Sequence, residues 1–520
     1  CKGKNYTCGS FARGTCLRAR LRGQRNSFIC LQPRIFEPRF GYRKRSAEKK
    51  ANATKRAIAA IPILIIGAET LLLYALLPIM RLAIKNSRFN MIFSFNWCKN
   101  TVLLFVLILI SCGNKSKNSL TTTKSDLTLA KNDTIATNSE ELILGVNQTQ
   151  LYLPLLKNKG IGVVANQTSQ INILQRVAID QSTMGSKTVT LHLVDYLKSN
   201  LNVDIKKVFA PEHGFRGKAD AGEHIKDGID TKTGLPIVSL YGNNKKPTNA
   251  QLENIDVMVF DIQDVGARFY TYISTLHYVM EACAENNIKL IVLDRPNPNG
   301  HYVDGPILAS KYKSFVGMHP VPIVHGLTIG EYAQMINGEG WLDKSIACDL
   351  TVIKMKHYSR DLTYDLPVKP SPNLPNAKAI NLYPSLCFFE GTNVSAGRGT
   401  DMQFQVYGSP DFEKTSFNFT PKSNEGAKYP KHENKLCYGY DLRTYKYLDS
   451  IDLSFIINAY NNSKHKDQFF LDTNFIDKLA GTNSLKEQII AGWSEDKIKA
   501  TWQSGLKDYL VRRQPYLLYP

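Results

Sequence analysis

Short apolar runs alternate with segments of helical spacing through the middle of this 520-residue chain, and this alternation restricts its fold more than any other feature. Strands that alternate with helices form a parallel sheet with helices on both faces. The sequence therefore predicts an α/β fold with a mostly parallel, doubly wound sheet. The expected strands are Ile161–Ala165, Ile205–Ala210, Ile237–Tyr241, Asp256–Phe260, Lys289–Leu293 and Leu350–Met355, and the expected helices are Leu191–Leu197, Gln251–Ile255, Tyr272–Glu285 and Leu327–Asn337.

Polar or ionisable residues follow nearly every predicted strand. In doubly wound sheets, ligands bind beyond the carboxyl ends of the strands. A shared cleft lined by these side chains is therefore expected at one edge of the sheet. The candidates are Asn166, Glu212, His213, Tyr241, Asp261, Gln263, Asp264, Asp294, Arg295 and Asn297.

The character of the sequence changes after Tyr383. Residues 388–401 form a loop of small residues that contains Glu390, Asn393 and Arg398. Such a glycine-rich loop is either plain turn structure or a second wall of the cleft, contributed by a smaller C-terminal α/β region. The proline-rich stretch Pro367–Pro375 is expected only to connect the two parts.

The basic charge of the chain is concentrated in its first 111 residues. They hold 20 lysines and arginines against 3 acidic residues, whereas the remainder holds 45 basic and 42 acidic residues, a net of +3. A nearly neutral body gives no support to a nucleic-acid partner, which needs a basic surface. Gly160–Ala165 matches a dinucleotide glycine pattern, but its glycines open a strand instead of following one, so no nucleotide cofactor is expected.

The first 140 residues have the pattern of a leader and a tether. We interpret residues 1–90 as spurious upstream sequence, with a true membrane anchor as the alternative, because the apolar run 57–80 is long enough to span a bilayer. Residues 91–111 have the pattern of a lipoprotein signal peptide, and Cys112 is the expected lipidation site. Residues 112–140 are expected to be a flexible tether of roughly 30 Å. The expected location is the cell envelope, with the body lipid-anchored on the periplasmic side of a bacterial membrane.

Four cysteines follow Cys112, namely Cys283, Cys348, Cys387 and Cys437. Their spacings match no zinc site. Cys283 lies in an apolar helical stretch and is expected to be buried. A disulfide among the other three is compatible with an oxidising periplasm, but the sequence does not pair them.

Five motifs stand in order in the body of the chain: PEHGFRG (211–217), TGLPIVSLYG (233–242), FDIQDVGARFYTY (260–272), LDRPNPNG (293–300) and EGTNVSAGRGTD (390–401). They resemble the bacterial exo-β-N-acetylmuramidase family of peptidoglycan-recycling glycoside hydrolases, from about Leu144 to Pro520. The resemblance implies a Rossmann-like catalytic domain over residues 141–385 and a smaller α/β domain over residues 386–520. It also implies release of N-acetylmuramic acid from the non-reducing end of peptidoglycan-derived muramyl saccharides, without a cofactor.

Cleavage of a glycosidic bond usually requires a carboxylic acid that protonates the leaving oxygen and a second group that attacks or activates water. Glu212 is the expected acid, because it leaves a strand end within a motif whose glycines permit close approach of a substrate. Asp264 is the preferred second group, with Asp261 and Glu223 as alternatives. A substrate-assisted reaction through the 2-acetamido group of the sugar remains open.

Muramic acid differs from its neighbouring sugar by a lactyl ether that ends in a carboxylate. Arginine matches a carboxylate with two parallel hydrogen bonds. The motifs contain Arg216, Arg268, Arg295 and Arg398 as candidates, each with a structural ion pair as the alternative. Tyr241 and Tyr270 are candidates to stack on sugar faces, as is Phe269, although aromatic residues in such segments are often core residues.

The sequence gives little support to three other classes of protein. Metal-dependent hydrolysis is disfavoured because Glu212 and His213 are adjacent and no HExxH-like spacing occurs, so no metal is expected. A serine hydrolase is disfavoured because the G-x-S-x-G elbow is absent. A non-catalytic peptidoglycan-binding lipoprotein is the remaining alternative, and it would tolerate glutamine at Glu212.

Overall fold

The computed structural model describes residues 141–178, 184–217 and 227–520, all of which belong to one compact unit. Several predictions fall outside these residues. They are the predicted upstream and signal segments over 1–90 and 91–111, the predicted lipidation site Cys112, the predicted tether over 112–140 and the candidate Glu223.

A seven-stranded sheet forms the centre of the described part of the chain, in the order β5-β6-β4-β1-β7-β8-β9. All neighbouring strands pair in parallel except β5, which runs antiparallel to β6 at one edge. This confirms the predicted α/β fold with a mostly parallel sheet. The strands are β1 (Ile161–Ala165), β4 (Ile205–Ala210), β5 (Gly228–Ile229), β6 (Pro236–Ser239), β7 (Val257–Asp261), β8 (Lys289–Leu293) and β9 (Leu350–Ile353).

Both faces of this sheet are apolar and covered, as expected for strands that read as continuous hydrophobic runs. Successive side chains of a strand point to opposite faces. Val164 and Phe260 accordingly pack into one hydrophobic cluster, whereas their chain neighbours Val163 and Val259 pack into a second one. The larger cluster extends into the C-terminal part of the chain, so that this part and the sheet share one core.

Helices account for much of the remaining described structure. Helix α3 begins with a capping box in which Thr328 and Glu331 satisfy each other's backbone N–H groups. The helices are α1 (Thr149–Leu156), α2 (Tyr272–Glu285), α3 (Ile329–Gly338), α4 (Ala377–Leu386), α5 (Ser454–Asn462), α6 (Phe475–Ala480), α7 (Ser484–Ile490), α8 (Glu495–Ala500) and α9 (Gln503–Arg513).

Two predicted helices are wrong or shifted. Gln251–Ile255 forms consecutive turns, because Asn254 adopts a φ of 63° that a right-handed helix does not accommodate. Residues 191 and 192 belong to a strand, and a single helical turn follows at Leu193–Asp195, which continues as a π-helical turn over Tyr196–Asn200. Pairing with the preceding strand therefore overrides the helical spacing at this point.

Two antiparallel elements were not predicted from the sequence. β2 (Gln170–Ala178) and β3 (Met184–His192) form a hairpin, and β10 (Val406–Ser409), β12 (Cys437–Asp441) and β11 (Phe417–Phe419) form a three-stranded sheet in that order. The second sheet follows the glycine-rich loop 388–401 and belongs to the expected C-terminal α/β region.

The four described cysteines are buried and free, so the disulfide considered among three of them does not form. Within the described ranges, none of the helices combines the length and the apolar character needed to cross a bilayer.

Candidate active site

A cavity of about 290 Å³ opens at the carboxyl edge of the large sheet, between that edge and the C-terminal part of the chain. The ends of β4 and β6 reach it, as predicted, but of the ten side chains expected to line a shared cleft only Glu212, His213 and Tyr241 do so. Residues of the loop 388–401 form part of its second wall. Of the predicted site residues, the cavity is lined by Glu212, His213, Tyr241, Phe269, Tyr270, Glu390 and Arg398.

Glu212 is presented to this cavity by a tight turn after β4. His213 has a φ of 69° and Gly214 a φ of 77°, and the Gly214 N–H donates to the carbonyl of Pro211 at 3.0 Å. A positive φ at the non-glycine residue His213 is costly and is concentrated at functional sites in proteins. The reversal leaves the Glu212 side chain partly exposed on the cavity wall.

Thr271 fixes the orientation of the Glu212 carboxylate. The Thr271 hydroxyl donates to Glu212 Oε2 at 2.6 Å. Thr271 occupies the N-cap position of α2, where a threonine hydroxyl usually accepts from a helix N–H, yet here it makes no such bond. The hydroxyl is therefore committed to the glutamate instead of to the helix.

An aromatic wall stands beside this glutamate. The ring of Tyr270 makes edge contacts with Tyr272 at 4.8 Å and with Tyr383 at 5.9 Å between centroids. The Tyr272 hydroxyl donates to the carbonyl of Pro370 at 3.1 Å and accepts from Asn166 Nδ2 at 2.9 Å. This network links the ends of β1 and β7 to the segment 370–374, and burial raises the pKa of the Tyr272 phenol.

Asp264 is enclosed and does not line the cavity. Its Oδ2 accepts from the backbone N–H of Gly266 at 2.7 Å and lies 3.9 Å from His325 Nε2, while Oδ1 has no hydrogen-bond partner. Burial raises the pKa of this carboxyl to about 7. Its neighbour Asp261 is also fully buried, and it forms a two-point ion pair with Arg295 at 2.6 and 2.9 Å.

Three of the four candidate arginines form ion pairs or hydrogen bonds away from the cavity. Arg216 pairs with Asp195 and Asp230 at 3.0 and 2.8 Å, and Arg295 pairs with Asp261. Arg268 is completely buried and donates to the backbone carbonyls of Pro306, Val321, Leu479 and Ala480. Because Leu479 lines the cavity, Arg268 holds part of its wall without reaching the interior.

Arg398 is the remaining candidate, and it does reach the cavity. Its Nη1 lies 3.5 Å from Glu390 Oε1, and its Nη2 donates to the carbonyl of Gly426 at 3.3 Å. About a quarter of both side chains is exposed. The pair therefore places a cationic group on the wall opposite the large sheet.

The other predicted polar residues hold loops in place. Asp294 accepts from the Thr328 hydroxyl and the Gly330 N–H at the start of α3, and Asn297 Nδ2 donates to the carbonyl of Leu327. Gln263 Nε2 donates to the carbonyls of Asp264 and Pro296. Asn393 receives a hydrogen bond at its backbone carbonyl from His432. None of these four residues, nor Asn166, lines the cavity.

Sequence reasoning missed several residues of the wall. Ser371, Asn373 and Leu374 line the cavity, although the stretch Pro367–Pro375 was expected only to connect two parts. The stretch is bent, with a turn in which the Leu374 N–H donates to the Ser371 carbonyl at 3.2 Å, and all three side chains are buried. Thr271 was also missed, although its position within the motif 260–272, at a predicted helix start, could have marked it.

The chain matches known proteins over this whole region. Sequence models of the exo-β-N-acetylmuramidase NamZ family match residues 161–378 for its N-terminal part and residues 381–519 for its C-terminal part. A peptidoglycan β-N-acetylmuramidase NamZ of Bacillus subtilis is 40% identical over 392 residues, which cover 71% of this chain and 89% of that protein.

Solved structures agree with this assignment. Two DUF1343-family proteins of Bacteroides fragilis superpose with TM-scores of 0.64 and 0.60, at 47% and 27% sequence identity. Each comparison covers 73% of this chain and 99% of the other chain. From the family models, the relative in Bacillus and the arrangement of the five motifs, we conclude that the chain belongs to the exo-β-N-acetylmuramidase NamZ family.

Proposed function

We propose that this protein is an exo-acting glycoside hydrolase that releases N-acetylmuramic acid from the non-reducing end of peptidoglycan fragments. The observation that carries the proposal is Glu212, held by Thr271 on the wall of the cavity at the carboxyl edge of the sheet. The cavity volume lies near the lower end of the range of roughly 300–1,000 Å³ for small-molecule sites. This size suits one terminal sugar better than an extended glycan.

Glu212 is the general acid in this proposal. The Thr271 hydroxyl donates to Oε2 and orients the carboxyl group, which gives its proton to the glycosidic oxygen as the bond to the leaving sugar breaks. The aromatic wall beside it excludes water from one side of the reacting centre. The edge contacts among Tyr270, Tyr272 and Tyr383 keep that wall rigid.

The 2-acetamido group of the substrate is the proposed nucleophile. Among the described residues that line the cavity, the second carboxylate is Glu390, which lies beside Arg398. Asp264 is enclosed behind the wall, and Glu223 remains a predicted alternative outside the described residues. If the acetamido carbonyl attacks the anomeric carbon, a trifluoroacetamido substrate should react at least tenfold more slowly in both kcat and kcat/KM. An unchanged rate would favour a carboxylate of the protein as the nucleophile.

Arg398 is the proposed partner of the lactyl carboxylate. It is the candidate arginine on the cavity wall, and its guanidinium can donate two parallel hydrogen bonds to a carboxylate. This interaction distinguishes muramic acid from glucosamine, which lacks the lactyl group.

The direct test is hydrolysis of a chromogenic β-N-acetylmuramide by the purified protein. Release of the chromophore together with free N-acetylmuramic acid is expected. Folded protein with no release above buffer would contradict the enzymatic proposal and leave the non-catalytic peptidoglycan-binding alternative.

For the location we propose lipidation at Cys112 and attachment to a bacterial membrane in the cell envelope. Support comes from the sequence alone: an apolar core, Ser111 directly before Cys112, and a polar stretch after it. Metabolic labelling with an alkyne fatty acid should mark the wild type and not Cys112→Ser. Equal labelling of both proteins, or none of either, would contradict the anchor.

A further inference from the structure

Phe315 and Val316 line the active-site cavity, although neither belongs to the five sequence motifs. They are the two central residues of a tight hairpin, in which the backbones of Ser314 and Gly317 exchange hydrogen bonds at 2.8 and 3.0 Å. In a two-residue hairpin connection, the central residues lie outside the backbone pairing of the flanking residues. Phe315 and Val316, the hairpin tip, thus present an aromatic and an aliphatic side chain at the cavity.

The start of helix α2 fixes the position of the hairpin tip. The Ser274 hydroxyl donates to the carbonyl of Phe315 at 2.7 Å. Three residues earlier, the Thr271 hydroxyl donates to Glu212 Oε2 at 2.6 Å. Residues three apart are neighbours on the surface of a helix. The same end of α2 therefore holds both the proposed acid and the hairpin tip, which places the tip close to the bond that is cleaved.

The ring of Phe315 is held by three neighbouring side chains. It lies 6.3 Å from the ring of Tyr278 at an interplanar angle of 18°, and 6.1 Å from the ring of Tyr241. Lys245 Nζ lies 4.7 Å from its centroid, within the range of a cation–π contact. Phe315, Val316 and Tyr241 are nevertheless only partly buried. The hairpin tip and Tyr241 therefore form a preformed apolar surface that is still in contact with solvent.

A second aromatic pair in the same cavity has a different environment. Tyr270 and Tyr383 line the cavity in edge contact with each other, and their exposed fractions are only 6% and 9%. Tyr383 belongs to α4, which leads directly into the turn that carries Glu390, the ion-pair partner of Arg398. The buried pair is thus connected to the arginine proposed to bind the lactyl carboxylate of the terminal sugar.

The strand order β6-β4-β1-β7 separates these two aromatic surfaces along the edge of the sheet. Tyr241 follows β6, Glu212 follows β4, and Tyr270 follows β7. Glu212 therefore stands between them, as an acid that protonates the oxygen between two sugars must. The terminal sugar of an exo-acting enzyme can be enclosed, whereas the leaving sugar continues into the rest of the glycan and has to reach solvent. The buried pair suits the first sugar, and the partly exposed surface suits the second.

We propose that the hairpin tip, together with Tyr241, binds the sugar on the leaving-group side of the cleaved bond and determines which leaving groups the enzyme prefers. A hexosamine ring presents C–H groups on its faces, and their contact with partly exposed apolar side chains removes apolar surface from water. The inference rests on the proposed function, since it assigns the second sugar of the same substrate. It adds two residues outside the motifs that act on specificity.

The test compares two substrates that share the muramic acid unit. One is the disaccharide of N-acetylmuramic acid linked to N-acetylglucosamine. The other is β-N-acetylmuramyl fluoride, whose leaving group is too small to contact the hairpin tip. Phe315→Ala removes the ring, and Val316→Ser is a milder second variant at the tip. Tyr312→Ala is the matched control, because Tyr312 is a partly exposed aromatic residue of the same segment that does not line the cavity.

The measured quantity is the ratio of kcat/KM for the disaccharide to kcat/KM for the fluoride. This ratio should fall about tenfold in Phe315→Ala and about threefold in Val316→Ser, because each variant removes apolar contact with the leaving sugar. It should stay unchanged in the control. An unchanged ratio in both tip variants, including equal losses on the two substrates, would overturn the assignment while hydrolysis by the wild type upholds the proposed function.

Saturation-transfer NMR with N-acetylglucosamine gives a readout that does not need turnover. The wild type and the Tyr312→Ala control should show transfer that Phe315→Ala weakens. If the wild type hydrolyses neither substrate but shows this difference, the proposed function fails and the sugar-binding surface stands. Equal transfer in the wild type and Phe315→Ala would contradict that surface directly.

Discussion

Two carboxylates follow strands on either side of β1 in the large sheet, yet they meet opposite environments. Glu212 follows β4, is partly exposed on the cavity wall and accepts from the Thr271 hydroxyl. Asp264 follows β7, is enclosed, and has a pKa that burial raises to about 7. A shared edge of a sheet therefore brings two acidic residues into one neighbourhood without giving them the same exposure.

The turns after the strands explain the difference. After β4, consecutive positive φ values at His213 and Gly214 reverse the chain and leave Glu212 at the cavity. After β7, the Asp264 carboxylate accepts from the N–H of Gly266 two residues later, which folds the side chain back onto its own loop. The first arrangement suits a group that exchanges protons with a substrate, and the second suits a group that stabilises a loop.

Substitution of Glu212 should have the largest effect on turnover. Glu212→Gln should lower kcat/KM for a muramyl disaccharide by about 10²-fold or more, because the amide has no proton to give to the leaving oxygen. Glu253→Gln, at an exposed position, is the matched control and should retain wild-type kinetics. A near-normal rate in a folded Glu212→Gln variant would remove this residue from the acid role.

Arg398 lies on the wall of the cavity opposite the large sheet. Arg398→Ala should reduce kcat/KM for β-N-acetylmuramides by about tenfold or more, because charge-assisted hydrogen bonds to the lactyl carboxylate are lost. Any activity on the corresponding glucosaminide should change much less. Arg443→Ala, which removes an exposed arginine, serves as the control. Equal losses on both sugars would assign Arg398 to the support of its loop.

Thr271 tests how much the orientation of Glu212 contributes. Thr271→Val keeps the shape of the side chain and removes the hydroxyl, so a fall in kcat of about fivefold is expected from the loss of one hydrogen bond. Thr271→Ser restores the hydroxyl and should recover most of that loss. A serine variant as slow as the valine variant would indicate a packing role.

Asp264 should show the smallest effect on turnover and a separate effect on stability. Its folded pKa of about 7 lies above the ordinary pKa of 3.8 for an aspartate, so the stability it contributes is fully present below about pH 4 and is lost as the pH rises through about 7. Asparagine does not ionise, so the Asp264→Asn variant does not lose this stability as the pH rises. The free energy of unfolding of the variant relative to the wild type should therefore rise by about 2 kcal/mol between pH 5 and pH 8.

Denaturant titrations at the two pH values provide the measurement, and kcat/KM should stay within about threefold of the wild type. Parallel pH dependence of the two proteins would contradict the raised pKa. A hundredfold loss of kcat would instead return Asp264 to the catalytic role predicted from sequence.

Periodicity predicted the elements whose burial pattern is regular. Tyr272–Glu285 and Lys289–Leu293 were predicted with the bounds that α2 and β8 have. The hairpin of β2 and β3 was not predicted from the sequence, because many of its residues are polar. Its stability comes from pairing across the strands, which the alternation of residues within one strand does not reveal. The sequence pattern thus succeeds for apolar, buried elements and fails for polar, exposed strands that are stabilised by pairing with each other.

The candidate site was predictable in position and not in detail. The strand ends located the cavity, because topology alone brings them to one edge. The ion-pair and hydrogen-bond partners of the arginines were not predictable from the sequence. Arg268, for example, donates to carbonyls at Leu479 and Ala480, more than 200 positions away in the chain. A motif shows that such a residue is required, and only the fold shows whether it meets a substrate.

Protonation of the leaving group by Glu212 is tested by varying that group as a substrate of the Glu212→Gln variant. A disaccharide needs the proton, whereas a 2,4-dinitrophenyl β-N-acetylmuramide has a leaving group that departs without one. Relative to the wild type, the variant should lose about 10²-fold or more in kcat/KM on the disaccharide and far less on the dinitrophenyl substrate. Equal losses on the two substrates, or none on either, would contradict the account.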